Sequence, residues 1–458
     1  MELTPSLLAL LQHFAPVFTT PTFTTLVQIV TGWVFSQRHL FITEIIFSGG
    51  NVGNGHWSRF HRFFSHAAWD LDAFALRLAK LVVSILAPGA TLLWAVDDTL
   101  CRRRGLTLHG AGMHHDPLIS SRKKPLVSWG HDWVVLSLLI VHPVWAPTKV
   151  FALPVAARLY RNRQGLTKGK KRQPKAKKPK ADPNHRTRPE LAVELIKLAA
   201  SWFPDDTLIV TGDSAYGGKS VLSHLPENVH LISHVHPKAA LYEPAPQPAP
   251  DAKPKGRPRK KGVRLPGMAA WAEDPKQPWT ELTFHQFGLH ATLAVKTIQA
   301  LYYKSGGDRL LRIVLVRDLK GGRPDQMFYC TQLDWDARQV LSTYACRWAI
   351  ELAFFDSKQH LGLHDPRVWS ERSVERAHPM AWFVGSLTIL WYCLKGHEGS
   401  HVAKDRPRYT AKVTPTFTDM LGALRLQMWE SAVYGESGEE TPSPECIQSL
   451  LHKLAAVA

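Results

Sequence analysis

The sequence predicts the α/β class: a mixed five-stranded sheet flanked by helices, with a helical N-terminal segment and a β-rich insertion. Three observations predict it. Three apolar runs follow one another from Thr91, helix, strand, helix and strand patterns succeed them, and a helix cut by a narrow polar stripe comes later. Strands buried on both faces read as unbroken apolar runs, whereas helices show a period near 3.6. With 458 residues and 45% hydrophobic content, the chain has room for one large core plus appendages.

Residues 1–88 read as helical, with GGNVGNG (Gly49 to Gly55) as a hinge. The HWSRFHRFFSH stretch then sets Arg59, His61 and Arg62 among aromatics, which suits either phosphate contact or an ordinary amphipathic cap. ATLLWAVDD is an apolar run ending in two acids; VSWGHDWVVLSLLIV and KVFALPVAARLY read as two more strands. ELAVELIKLAASWF reads as a helix, DTLIVTGD as a strand, KSVLSHL as a short helix and VHLISHV as a strand. With the striped helix last, this order matches the ribonuclease-H-like arrangement. More strand-like material lies between Val263 and Leu333 (HATLAVKTIQALYY, RLLRIVLVRDL, QMFYCTQL), just before that helix.

The expected organisation is therefore a helical, DNA-binding segment over 1–88 and a first part of the core over 89–236, interrupted by a basic low-complexity loop at 165–188. A basic linker and β-rich insertion follow over 237–333, then the striped helix and end of the core over 334–400, and a helical C-terminal region over 401–458. Pro and Lys dominate the two basic stretches, a composition that buries no core.

Tyr344, Arg347, Glu351 and Lys358 make the stripe. At about 100° per residue these side chains fall within roughly 60° of one another on a helix. Their neighbours Trp348, Ile350, Leu352, Phe354 and Phe355 predict a buried segment. A carboxylate buried among cations fits either a structural ion-pair stripe or the docking of a charged ligand.

Formal net charge is +18, which makes a polyanion, nucleic acid first, the default partner. The five cysteines (Cys101, Cys330, Cys346, Cys393, Cys446) form no C-x-x-C pair, which argues for a reducing compartment and against a disulfide scaffold or a zinc ribbon. MELTPSLLALLQHFAPVF lacks the basic start of a signal peptide, and the runs WVVLSLLIV and WFVGSLTILWYCL are too short to span a bilayer. A cytoplasmic protein with no membrane contact is the expectation.

Three acids carry the expected chemistry. Asp97 ends the first core strand, Asp213 ends TLIVTGD, and Glu351 stands on the stripe. Ligands gather beyond the carboxyl ends of strands in open sheets, and a helix across that edge brings Glu351 there too. Three carboxylates so close need intervening cations, and hard oxygen donors suit Mg²⁺ or Mn²⁺. Two ions roughly 3.5–4 Å apart activate a water or 3′-hydroxyl and stabilise the leaving oxygen of a phosphodiester. Asp98 competes with Asp97, because neighbouring strand residues point to opposite faces; the D-x-T spacing with Thr99 favours Asp97.

AVDDT, TGDSAYG and Y-x2-R-x3-E-x6-K, in that order, resemble the three blocks of DDE transposases from bacterial insertion sequences. The closest likeness is to the class named for the Tyr-Arg-Glu-Lys (YREK) signature, over roughly residues 90–395. The resemblance implies a ribonuclease-H-like core with a β-rich insertion, and Mg²⁺-dependent cleavage at transposon ends followed by strand transfer into double-stranded target DNA. It implies a metal-binding triad of Asp97, Asp213 and Glu351, phosphate contacts from Tyr344, Arg347 and Lys358, and a homodimer holding two ends in a prokaryotic cytoplasm, on the nucleoid. Some relatives place a flipped base on a tryptophan of the insertion, for which Trp271 and Trp279 are the candidates. A stand-alone nuclease with the same core and an inactive DNA-binding relative are the competing readings; the intact acids argue against the latter.

Weaker signals complete the reading. KPKGRPRKKG is close to an AT-hook, with Arg257 and Arg259 for a minor groove, although Lys255 stands where that motif has arginine; a solvated charge run is the alternative. Lys170, Lys171 and Lys178 belong to a run that suits a nonspecific phosphate tether. His114, His115 and Asp116 read as a loop, and His131 and Asp132 as hairpin residues. No G-x-x-x-x-G-K-[ST] is present, so no nucleotide cofactor is expected.

Overall fold

The computed structural model describes residues 3–434 except 38, 51–54, 90, 122, 163–184, 247–258, 287–288 and 399–413. Lys170, Lys171, Lys178 and Arg257 lie outside the described residues; Arg259 is described and exposed. The chain opens with α1 (Pro5–Gln12), α2 (Thr20–Phe35), α3 (Ile42–Ser48), α4 (Ser58–Ser65) and α5 (Leu71–Leu86). Then come β1 (Leu92–Arg102), β2 (Gly112–His115), β3 (Val127–Val141), β4 (Val150–Tyr160), α6 (Arg188–Trp202), β5 (Leu208–Gly212), α7 (Lys219–Leu222) and β6 (Val229–Val235). The remainder comprises α8 (Met268–Ala272), β7 (Thr280–Gln286), β8 (Leu289–Leu301), α9 (Tyr303–Gly306), β9 (Leu310–Asp318), β10 (Gln326–Cys330), α10 (Ala337–Cys346), α11 (Trp348–His360), α12 (Glu371–Leu394) and α13 (Phe417–Tyr434).

Local chemistry sets several of these boundaries. Thr187 and Glu190 form a reciprocal capping box that starts α6, and Asp336 with Gln339 does the same for α10. Asp70 caps α5 by accepting from the Ala73 amide at 2.7 Å. α11 stops at Gly362, whose φ of +60° lets the chain turn back; a Cβ there would meet Leu40 at 2.6 Å.

Among the described residues all ten strands join one sheet, in the order β2-β3-β1-β5-β6-β10-β9-β8-β7, with β4 also paired to β3. Within it β4, β3, β1, β5 and β6 lie side by side in that order, as part of a sheet of ten strands rather than five. β1, β5 and β6 are parallel to one another, and β3 runs antiparallel to β1. The strands read as an insertion continue this sheet, because β10 pairs with β6 on one side and with β9 on the other.

Helices cover both faces. Arg158 on β4 donates to Asp72 of α5 and Glu194 of α6 on one side. On the opposite side Trp133 and His131 of β3 lie against Trp382 and His378 of α12, with ring centroids 6.0 and 5.0 Å apart. The WFVGSLTILWYCL run is the C-terminal half of α12, buried from Trp382 to Tyr392, and no helix among the described residues is long and apolar enough to cross a membrane.

Several expectations need correction. β1 does not end at Asp97 and Asp98 but runs on to Arg102, held there by β3. His114 and His115 are not in a loop; they lie in β2 and point opposite ways, His114 buried and His115 exposed. His131 and Asp132 are not hairpin residues but sit within β3, both buried. The striped helix is two helices that meet at Arg347, and only part of its apolar set is buried: Ile350 and Phe354 face the core, while Trp348, Leu352 and Phe355 are exposed.

Candidate active site

β1 and β5 pair in parallel up to Val96 opposite Gly212, so Asp97 and Asp213 are the next residues along adjacent strands. Here β5 leaves the ladder while β1 continues along β3 alone. Asp97 thus sits where the parallel neighbour ends, the edge at which open sheets present ligands. The Asp213 carboxylate accepts from the Ala215 amide at 2.8 Å, which fixes the turn after β5.

Glu351 arrives from the first turn of α11. The Arg347 guanidinium joins it to the strand acids: Nη1 donates to Asp97 Oδ2 at 2.5 Å and Nη2 to Glu351 Oε1 at 2.9 Å. The Arg347 and Asp97 side chains are 14% and 16% exposed, so this half of the bridge is shielded from bulk water, while Glu351 is 38% exposed. Burial pushes the Asp97 carboxyl up to about 7; Arg347 opposes the rise, and the charges of Asp98 and Asp213 add to it. Asp97 and Glu351 thus share one guanidinium, with Asp213 close enough for its charge to be felt by Asp97.

Asp98 points to the other face of the sheet. Tyr216 donates its hydroxyl to Asp98 Oδ1 at 2.6 Å, and Arg188 Nε stands 3.5 Å from Oδ2. Arg188 also donates to Asp132, which lies 3.5 Å from His114. Burial and the Asp98 charge raise the Asp132 pKa, while burial lowers that of His114 to about 4, so the histidine is neutral there. This polar layer behind Asp97 escaped the sequence reading. Its signal was Asp132 itself, a charge inside an apolar run.

The other stripe residues separate. The Tyr344 ring packs against His234 and Phe328 at 4.9 and 4.8 Å, and burial pushes its hydroxyl pKa up to about 12. Lys358 sits in the last turn of α11, where its charge is felt by Cys101, Asp132 and His364. Trp271 is buried with its indole N–H donated to Gln277 at 2.7 Å, which leaves no face for a base. The Trp279 ring has Lys296 and Arg317 at 4.8 and 4.6 Å.

Among the described residues, the His and carboxylate set whose ligand atoms all fall within 4.8 Å is His109, Glu371 and Glu375, not the three acids. Glu371 and Glu375 are one helical turn apart on α12, and His109 comes from the loop after β1, so no local sequence pattern unites them. Around Asp97 the donors are hard carboxylate oxygens, and a guanidinium already spans two of the carboxylates. That donor set fits a divalent cation of the Mg²⁺ type.

The site is an open α/β sheet with two acids abreast where the parallel pairing of β1 and β5 ends. A family model described as DDE superfamily endonuclease matches residues 48–305, and the chain belongs to that family. The match includes Asp97 and Asp213 and stops short of Glu351. Membership implies a DNA substrate and divalent ions, generally Mg²⁺. No curated protein matches the chain.

Proposed function

We propose that this chain is a DDE transposase of the Tyr-Arg-Glu-Lys signature class, cutting phosphodiesters at transposon ends and transferring those ends into target DNA. One observation carries the reading. Asp97 and Asp213 stand abreast where β5 leaves β1, and Arg347 ties Asp97 to Glu351 from 250 residues further along. The order β4-β3-β1-β5-β6 supports a ribonuclease-H-like core, with β7 to β10 as the insertion that precedes the glutamate. The domain limits proposed are those foreseen from the sequence, with 1–88 as the end-binding segment.

In this reading Asp97, Asp213 and Glu351 hold two Mg²⁺ or Mn²⁺ ions, and Asp98 serves the layer behind them. Such ions, when bound, activate the attacking oxygen and stabilise the leaving one. Arg347 neutralises Asp97 and Glu351 and is drawn to the DNA phosphate that enters between them, for which its planar fork is suited. Tyr344 and Lys358 contact flanking phosphates. Joining two ends in one event calls for a homodimer on DNA.

The test is a supercoiled plasmid carrying two element ends, incubated with Mg²⁺ and resolved for nicked and joined products. Asp97→Ala, Asp213→Ala and Glu351→Ala are expected to lose nicking by about 10³-fold or more, the several kcal/mol that metal-ligand stabilisation supplies, while retaining end binding. Full cleavage by the Asp213 or Glu351 variant overturns the triad. The family description, endonuclease, favours a second reading in which the chain cuts without joining; absence of joined products from the intact chain decides for it.

A further inference from the structure

We infer that the cleft at the C-terminal end of α11 binds single-stranded nucleic acid. The inference rests on the DNA-acting role proposed above and adds a contact surface distinct from the acids. The cleft, about 1220 Å³, lies between the loop that follows β1 (103–108) and the loop that follows α11 (361–370). α11 leads from Glu351 to Lys358 over about 10 Å, towards this cleft, and the Lys358 charge is felt by His364 on its wall.

The cleft is built rather than incidental. Arg103 stitches the two loops together, donating to the carbonyls of His364, at 2.6 Å, and Pro366. Trp129 forms part of the wall, its indole N–H held by the Gly105 carbonyl at 2.7 Å. Arg102 is spent on Asp116, and Asp365 caps the Leu40 amide. Arg104 and Arg367 are left exposed, and among the described residues neither has an acid partner. The Arg367 guanidinium lies 3.7 Å from the centroid of the Phe41 ring. Four arginines thus face Asp365 and the nearby Asp116, a net of +2.

Trp369 decides the ligand. Its carbonyl accepts from the His109 amide at 3.0 Å, so its backbone is fixed, yet the residue is 70% exposed. An indole anchored by its backbone and offered to solvent beside unpaired guanidinia is a stacking platform next to a phosphate track. A duplex hides its base faces and would leave that ring nothing to stack on, whereas every unpaired base has one.

Fluorescence anisotropy of the full chain with labelled oligothymidylate and with a matched duplex, over a salt series, tests this. Trp369→Ala is expected to weaken oligothymidylate binding about 5-fold or more, with Trp369→Phe retaining most of the affinity. Arg104→Gln combined with Arg367→Gln is expected to lower the single-strand salt slope by about 1.4, roughly 0.7 for each phosphate contact. Duplex affinity is expected to change less than about two-fold in the Trp369→Ala variant. Unchanged oligothymidylate binding by Trp369→Ala overturns the inference, as does an equal loss for duplex. The transposase reading fails separately: a chain that grips oligothymidylate through Trp369 but never nicks sinks that reading alone, and nicking without any Trp369 effect sinks only this one.

Discussion

Burial beside Asp98 and Asp213 lifts the Asp97 pKa to about 7, and the Arg347 guanidinium, 2.5 Å away, opposes that rise. Removing Arg347 leaves Asp97 and Glu351 without their shared counter-charge. Breaking a fully buried pair costs about 3–5 kcal/mol. Glu351 is more than a third exposed, so about 2–3 kcal/mol is the expectation for Arg347→Ala in EDTA. A divalent cation would bind the stripped carboxylates and stabilise the native state by mass action. Thermal melts of Arg347→Ala are therefore expected to recover on adding Mn²⁺ by more than those of the intact chain; equal shifts would remove the acids from the metal argument. The sequence also shows what single residues conceal. Alternation along β1 says that Asp97 and Asp98 part company, but which one meets Glu351 depends on which face α11 covers. No local pattern encodes that.

At the level of elements, polar residues inside strands were the hardest to read. His131 and Asp132 looked like a turn because a charge within an apolar run costs free energy unless it is paired. The partners of Asp132 are Arg188 on α6 and His114 on β2, both remote in sequence. The Tyr344 to Lys358 stripe was legible as a helical pattern, yet the helix restarts at Arg347 and shows Trp348, Leu352 and Phe355 to solvent. α11 meets the sheet with one face only, so three of its five large apolar residues find no core. The same helix carries Asp356, whose pKa burial raises from 3.8 to about 6. A carboxyl raised in the native state favours folding most below its unfolded pKa, and that contribution is lost as pH rises through about 6. Asp356→Asn is expected to flatten this part of the pH dependence, gaining stability relative to the parent chain between about pH 4 and pH 7. Urea midpoints across that window check it; parallel curves for the two chains would contradict the burial argument.

Across the whole molecule, the order of strands and helices was readable from runs and periods, but the pairing of the later strands was not. Apolar alternation marks β8, β9 and β10 as strands without saying which edge they join. β10 settles it by pairing through Met327–Cys330 with β6 and through Gln326–Cys330 with β9, which makes β1 to β6 and β7 to β10 one hydrogen-bonded sheet. Shared packing reinforces the link. Ile209 and Ile232 of the core lie in one apolar cluster with Val314 and Phe328 of the insertion, under Val340 and Leu341 of α10. Two elements that share both a ladder and a core open together, since separating them would strand backbone groups and apolar surface on each side. Native-state hydrogen exchange then has a definite expectation. The amides of Met327, Phe328 and Tyr329 should exchange at the same free energy as those of Ile209, Val210 and Thr211 in β5, and destabilising Ile232→Ala should lower both sets equally. Exchange of the β10 amides at a distinctly lower free energy, unaffected by Ile232→Ala, would mean that the insertion opens as a unit of its own and that α10 and Arg347 are positioned by the core alone.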